Sequence, residues 1–299
     1  MSCKLRYCAL SALMTMMVAH SAPAMADPSS ITVSADELVL TDYITPRGYV
    51  LNNKGYSDQV DLNLAVSLYS DKTGLLKDVS VTAGVWDDYW AGGSVADKPI
   101  SNHGWYEGDW SAGAHATISN WTVGATYEQF RSPTGLWNTQ TNIEFLAAYD
   151  DSGSGLPVAF HPYVKPFYAV SGSSTVGFGK AGRTYDVEIG MAPSYTFKSL
   201  PVTISFPTWV TVGPQGFWNG DPAADKAEHS HFGVFSIGAT LKTPLSFVPA
   251  SYGKWYCKGG VQVYELINKN LVLAEKYRGG VSSSDHSPVV AFTGLGFSF

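Results

Sequence analysis

Charge is scarce in this sequence. Asp, Glu, Lys and Arg make up 15% of the 299 residues, against about a quarter in an ordinary soluble domain. What charge there is leans acidic, with 25 acidic and 19 basic residues. No basic patch or stripe occurs, which argues against a nucleic-acid partner. Cysteine is nearly absent, and two of the three, Cys3 and Cys8, fall within the first ten residues. Long apolar runs are missing too. Beyond the N-terminus none approaches the ~20 residues of a membrane-spanning helix, and no extended helical periodicity competes for the chain.

The N-terminus reads "MSCKLRYCALSALMTMMVAHSAPAMA". A basic start at Lys4 and Arg6, an apolar run and Ala24-Met25-Ala26 form a secretory signal peptide, with cleavage expected after Ala26. The expected products are a signal segment, 1–26, and a single mature domain, 27–299. Cleavage leaves Cys257 alone, so an intramolecular disulfide is excluded. It also leaves 17 basic residues against 25 acidic ones, a formal charge of −8.

Aromatic residues are abundant at 13%, with 9 Trp and 17 Tyr, and there are 30 Gly. The dominant pattern has a period of two. In "DLNLAVSLYS", Leu62, Leu64, Val66 and Leu68 share one face, and Asp61, Asn63, Ala65, Ser67 and Tyr69 the other. "VSVTAGVW", "WTVGATYEQ", "TNIEFLAAY" and "TYDVEIGM" behave alike. Twelve such segments are expected near 36–46, 58–70, 77–88, 104–118, 121–131, 139–150, 157–170, 183–197, 201–213, 231–243, 253–267 and 287–299. Short connections such as Ser119-Asn120 and "KSLP" alternate with long Gly-bearing loops, the rhythm of an up-and-down membrane barrel. The expected fold is therefore all-β, an antiparallel transmembrane barrel of about twelve strands.

A soluble barrel would also alternate. Three features favour the membrane. The polar face carries Ser, Thr, Asn, Gly and Tyr rather than the Lys and Glu of a water-facing sheet. Tryptophans gather near segment ends, as in an interfacial aromatic girdle. The segments have the ~9–11 residues a spanning strand needs.

The closing "PVVAFTGLGFSF" resembles the C-terminal assembly signal of bacterial outer-membrane barrels, with Phe299, Phe297 and Leu295 on its apolar face. The N-terminal half resembles TorF-type porins, which begin with an alternating strand carrying Asp-Tyr and then Arg-Gly. Here Asp42-Tyr43 and Arg47-Gly48 occupy those places, followed by a Gln and an alternating second strand. The resemblance covers about the first 50 mature residues and the last 12. It implies a bacterial outer-membrane location. It also implies partners in outer-membrane lipid and lipopolysaccharide, the barrel-assembly machinery and small solutes. Phe297 and Phe299 would be the residues that machinery reads.

By this register the lumen holds Asp42, Asp61, Glu128, Glu144, Asp186 and Glu188 against His115, Lys165, Lys242 and Lys258. Opposed charges of this kind set a transverse field in a pore. The expected function is passive diffusion of small polar solutes, without catalysis, metal or cofactor. Two alternatives stay open: a closed structural or adhesion barrel, and a membrane lipid hydrolase. The hydrolase would rest on His229-Ser230-His231 or on Asp285-His286, but adjacent strand residues point to opposite faces. Asp87-Asp88 reads as a solvated loop start, and Arg47-Gly48 as a turn at the outer end of the first strand.

Overall fold

The computed structural model describes residues 31–299, except 54, 91–93, 96–97, 100–103, 136, 172–182, 215–216, 219–229 and 273–284. The expected signal peptide lies outside the described residues. Twelve strands form the wall: β1 (Ile31–Leu40), β2 (Ser57–Ser70), β3 (Leu76–Trp90), β4 (Trp105–Ile118), β5 (Trp121–Phe130) and β6 (Gln140–Tyr149). They continue as β7 (Tyr163–Ser171), β8 (Thr184–Met191), β9 (Thr208–Val212), β10 (Phe232–Pro244), β11 (Lys254–Leu266) and β12 (Val289–Ser298). The short pieces Ser194–Thr196 and Thr203–Ser205 extend β8 and β9 towards their connecting turn.

Each strand pairs antiparallel with the next, and β12 returns to β1. The chain is a closed antiparallel barrel. The seam runs from Leu40↔Phe292 to Ser34↔Ser298. It is carried to the last residue, because Phe299 N donates to Val33 O at 2.8 Å and Val33 N to Phe299 O at 3.1 Å. Two backbone hydrogen bonds thus tie Phe299 to the first strand. The seam is tight: a Cβ at Gly294 would lie 1.9 Å from Glu37 O. Closure is what a bilayer demands, since an open edge would leave backbone groups unpaired in hydrocarbon.

The expected strand faces hold along most of the wall. Leu64, Val81, Phe145, Ile189, Phe235 and Val261 are exposed on the outside, while Asn142, Asp186 and Ser236 are buried on the inside. A belt of this extent exposed to water would be an aggregation surface; facing lipid it needs no cover. Leu64→Arg, near the middle of β2, is expected to cost about 2–4 kcal/mol, read from urea unfolding of the protein refolded in phospholipid vesicles.

Three expectations are corrected. The first strand lies at Ile31–Leu40 rather than near 36–46, so Asp42 falls beyond its end. Tyr69 is 42% exposed on the outer face, because a register shift between Ser67 and Tyr69 inserts a residue and flips its direction. The tryptophans are also divided. Trp110, Trp121 and Trp255 meet Tyr127, Tyr149 and Phe297 at the surface, with ring centroids 5.3, 5.1 and 4.9 Å apart. Trp90 and Trp218 are buried inside, with Trp137 and Trp209 packed against the same core.

Candidate functional site in the barrel interior

That core exists because the connection between β1 and β2 turns back into the lumen. Tyr43–Ile44 and Val50–Asn52 pair as a small hairpin. Its turn is closed by Gly48 N donating to Thr45 O at 2.8 Å and by Tyr49 N donating to Thr45 Oγ1 at 3.1 Å. Gly48 has φ +89°, and a Cβ there would stand 2.7 Å from the Leu271 side chain. Only glycine satisfies both the backbone and the space. Two indoles hold the tip: Trp209 Nε1 donates to Pro46 O and Trp218 Nε1 to Arg47 O, each at 3.2 Å. Ile44, Tyr49, Val50 and Leu51 are buried against Phe167, Trp218, Val234 and Leu266. The interior at the long-loop mouth is thus apolar where the hairpin docks, not polar throughout.

The hairpin delivers Arg47 to the wall carboxylates. Its Nε lies 3.1 Å from Asp186 Oδ1 and its Nη2 3.8 Å from Glu144 Oε2. The guanidinium carbon sits 3.4 Å from the Phe167 ring centroid, the stacking a planar cation favours. Burial works against this charge, but Asp186, Glu144, Glu128 and Glu188 outweigh it, so the pKa of Arg47 is raised. The expected turn at Arg47-Gly48 is therefore real, but it sits inside the barrel rather than at its outer end.

Around this point the structure gathers five of the expected lumen residues. Glu128, Glu144, Asp186 and Glu188 act on Arg47, and Lys165 Nζ meets Glu188 Oε1 at 3.0 Å. Tyr163 Oη donates to the same Glu188 oxygen at 2.8 Å. A second group lies near the seam. Lys258 Nζ, fully buried, is 2.9 Å from Asp36 Oδ1, without the alignment of a hydrogen bond. Tyr256 Oη donates to that oxygen at 2.9 Å, and Lys242 Nζ stands 3.6 Å from the Tyr256 ring centroid. Asp61 pairs across from Asp36. His115 lies over Gly124, where a Cβ would come 2.2 Å from its Nδ1. Asp42 joins neither group. It is half-buried in the turn after β1, where burial raises its pKa and a hydrogen bond with Thr41 works the other way.

Sequence reasoning passed over Asp36, Glu107 and Asp109, and gave Arg47 and Asp88 no place in the interior. For Asp36 the signal was present, because it shares the even-numbered inward parity of β1. Asp87-Asp88 is not a solvated loop start: Asp88 is fully buried and accepts from Ser57 Oγ and Trp90 Nε1. Glu107 accepts from Tyr43 Oη at 3.1 Å, which ties the hairpin to β4.

The hydrolase candidates do not assemble among the described residues. His229 lies outside them. Ser230 Oγ donates to Phe232 O at 3.2 Å, and His231 Nδ1 is 3.0 Å from Gly213 O. His286 shares its turn with Asp285, which accepts from Ser287 N at 3.0 Å. One Ser–His contact does occur, Ser194 Oγ to His161 Nε2 at 3.3 Å. The aspartates beside it accept from turn amides, Asp151 from Phe160 N and His161 N, and Asp150 from Ser152 N. The cluster fastens a short connection.

Among solved structures, the chain aligns with the COG4313 outer membrane channel from Pseudomonas putida F1. The match covers 92% of this chain and 97% of that one, at a TM-score of 0.52 and 13% identity. The fold is that of an outer-membrane barrel. A porin refined at 1.8 Å aligns over 91% of this chain and 100% of its own, at TM-score 0.33 and 13% identity. Salmonella typhi OmpF aligns over 91% and 97%, at TM-score 0.35 and 10% identity. No protein-family model matches the chain, and no curated protein matches it.

Proposed function

We propose that the protein is a bacterial outer-membrane channel through which small polar solutes diffuse passively, narrowed by its own first long loop. One observation carries this reading. The hairpin of residues 43–52 is folded into the lumen and sets Arg47 against Asp186 and Glu144, close to the Lys165–Glu188 pair. A loop of one charge facing a wall of the other makes a constriction with a transverse field, which orients dipolar solutes as they pass. Asp61, His115, Lys242 and Lys258 extend the polar lining; Asp42 sits on the approach. No covalent step, metal or cofactor is involved.

The membrane partners follow from the same reading: lipid around the apolar belt, lipopolysaccharide at the outer rim, and the assembly machinery at the terminal strand. Phe297 and Phe299 are the residues we assign to that last recognition, and the kinship with TorF-type porins rests on Asp42-Tyr43 and Arg47-Gly48. The second reading, a closed structural barrel, is favoured by the apolar packing of Ile44, Tyr49, Val50 and Leu51. Proteoliposome swelling separates the two. Rates that fall with solute size, from a three-carbon polyol to a disaccharide, are expected of the channel. Vesicles containing folded, heat-modifiable protein that do not swell with any of them would leave the closed barrel.

A further inference from the structure

On the outside of the wall, at the long-loop rim, Arg131 follows directly after β5 and is exposed. It continues the outward parity of Tyr127 and Gln129. Its backbone is fixed, because Arg131 N donates to Asp109 Oδ1 at 3.1 Å and Gly108 N donates to Arg131 O at 2.9 Å. The guanidinium lies back along the strand. Nε donates to Gln129 Oε1 at 3.1 Å, and Nη2 donates to the same oxygen. The guanidinium carbon stands 5.8 Å from the Trp110 ring centroid. Trp110 Nε1 also donates to Gln129 Oε1, at 3.1 Å, and Gln129 Nε2 donates to Tyr127 Oη at 2.8 Å. Among the described residues no carboxylate forms an ion pair with Arg131. Asp87, outward on β3, is already met by Trp105 Nε1 at 3.0 Å.

This group holds more donors than acceptors. One amide oxygen with two lone pairs serves three N–H groups. Of the five guanidinium N–H groups, three find no acceptor among the described residues. Tyr127 Oη accepts from Gln129 and still has its own hydrogen to give. Unmet donors against lipid are costly, and the complement of this set is an oxygen-rich anion. A phosphate monoester offers three terminal oxygens to an arginine fork and a phenol, where a phosphodiester offers two. The wall beneath supplies an independent observation. Towards the bilayer, the outward positions of β4 are Ala112, Ala114 and Ala116, and Ala125 of β5 pairs with Ala114. Ala112, Ala114 and Ala125 are exposed, and Val81 and Phe145 stand beside them. From Ala112 to Ala116 this shallow trough runs about 14 Å, close to one leaflet of a ~30 Å hydrocarbon core. An acyl chain fits along it below a bound headgroup.

We propose that this stretch of rim is a binding site for lipid A, the phosphorylated glycolipid of lipopolysaccharide. One of its phosphate monoesters sits on Arg131 and Tyr127, and an acyl chain lies in the alanine trough. Gln129 is the positioning residue that holds the guanidinium against the wall. The site rests on the outer-membrane reading above and, lying outside the lumen, is independent of conduction.

The test uses the full mature protein refolded in detergent micelles, titrated with lipid A, with the retained lipid counted by native mass spectrometry. Two controls run beside it: the same lipid A after enzymatic removal of its phosphates, and phosphatidylglycerol. Saturable retention of one lipid A is expected, with little of either control. Arg131→Gln is expected to weaken lipid A by about tenfold or more, while Lys72→Gln, in the exposed turn between β2 and β3 at the opposite rim, leaves it unchanged. If Arg131→Gln does not give the heat-modifiable folded band, Tyr127→Phe replaces it with the same expected direction. Equal retention of lipid A and either control, no saturable retention, or a folded variant that retains lipid A as the wild type does would each overturn the proposal. A folded, heat-modifiable barrel that retains no lipid A loses this site and keeps the outer-membrane reading. A mature protein that stays soluble without detergent loses both.

Discussion

A barrel in which residues 43–52 are replaced by a short Gly-Ser linker is expected to conduct several-fold more current than the intact protein. The hairpin fills the lumen with Ile44, Tyr49, Val50 and Leu51. Its tip holds Arg47 across the wall carboxylates at 3.1 and 3.8 Å. Removing it takes away both the volume and the cation. The exposed interior then carries Glu128, Glu144, Asp186 and Glu188 with Lys165 as their nearest remaining countercharge. The enlarged pore should therefore also shift its reversal potential towards cation selectivity. The wall itself should persist, because every strand keeps both ladders and the seam without the loop. Heat-modifiable mobility on gels checks that point before the recordings. Arg47→Ala is the milder version. It breaks a buried pair by removing one partner, which typically costs about 3–5 kcal/mol, and it should loosen the hairpin and give intermediate, noisier steps. A deletion variant that folds but conducts like the wild type would mean that the hairpin does not set the constriction.

The second large effect concerns the seam-side group. Lys258→Met is expected to destabilise the barrel by about 3–5 kcal/mol, measured by urea unfolding in phospholipid vesicles. Lys258 is fully buried at 2.9 Å from Asp36 Oδ1. Its field also reaches Asp61, so its removal leaves two inward carboxylates on β1 and β2 facing each other with no buried cation beside them. The companion variant Lys258→Met/Asp36→Asn should recover most of the loss, because it removes the uncompensated charge together with its partner. The remainder would report Asp61. If the single variant cost under about 1 kcal/mol, the pair would be behaving as an exposed ion pair and water would have to reach it freely.

Much of the wall was legible in the sequence because its grammar is local. A period of two needs only neighbours, and Leu62-Leu64-Val66 or Val81-Ala83-Val85 announce their face without reference to the rest of the chain. The loops alternated short and long for the same reason. Phe299 announced closure, and it is hydrogen-bonded to Val33 at the end of the seam. What failed needed contacts distant in sequence. The hairpin's "YITPRGYVLN" continues the alternation of β1 closely enough to be read as strand. Only Asp186, Glu144, Trp209 and Trp218, more than ninety residues away, explain why it turns inward. Tyr69 was lost to one extra residue in β2, a bulge that leaves no mark in composition. Trp90 and Trp218 were read as girdle residues because a tryptophan near a strand end looks the same whether its ring turns to lipid or to a docked loop. Within the interior, the group around Glu188 and Lys165 was visible as parity. Arg47, its missing cation, sat in a segment whose direction no periodicity records.

The most direct measurement is single-channel recording of the refolded wild-type protein in a planar bilayer under a salt gradient, alongside the variant lacking residues 43–52. Small, discrete steps from the wild type and larger ones from the variant are the expected result. Both proteins folded and heat-modifiable but both electrically silent would contradict it, and would make this barrel a closed wall around its own first loop.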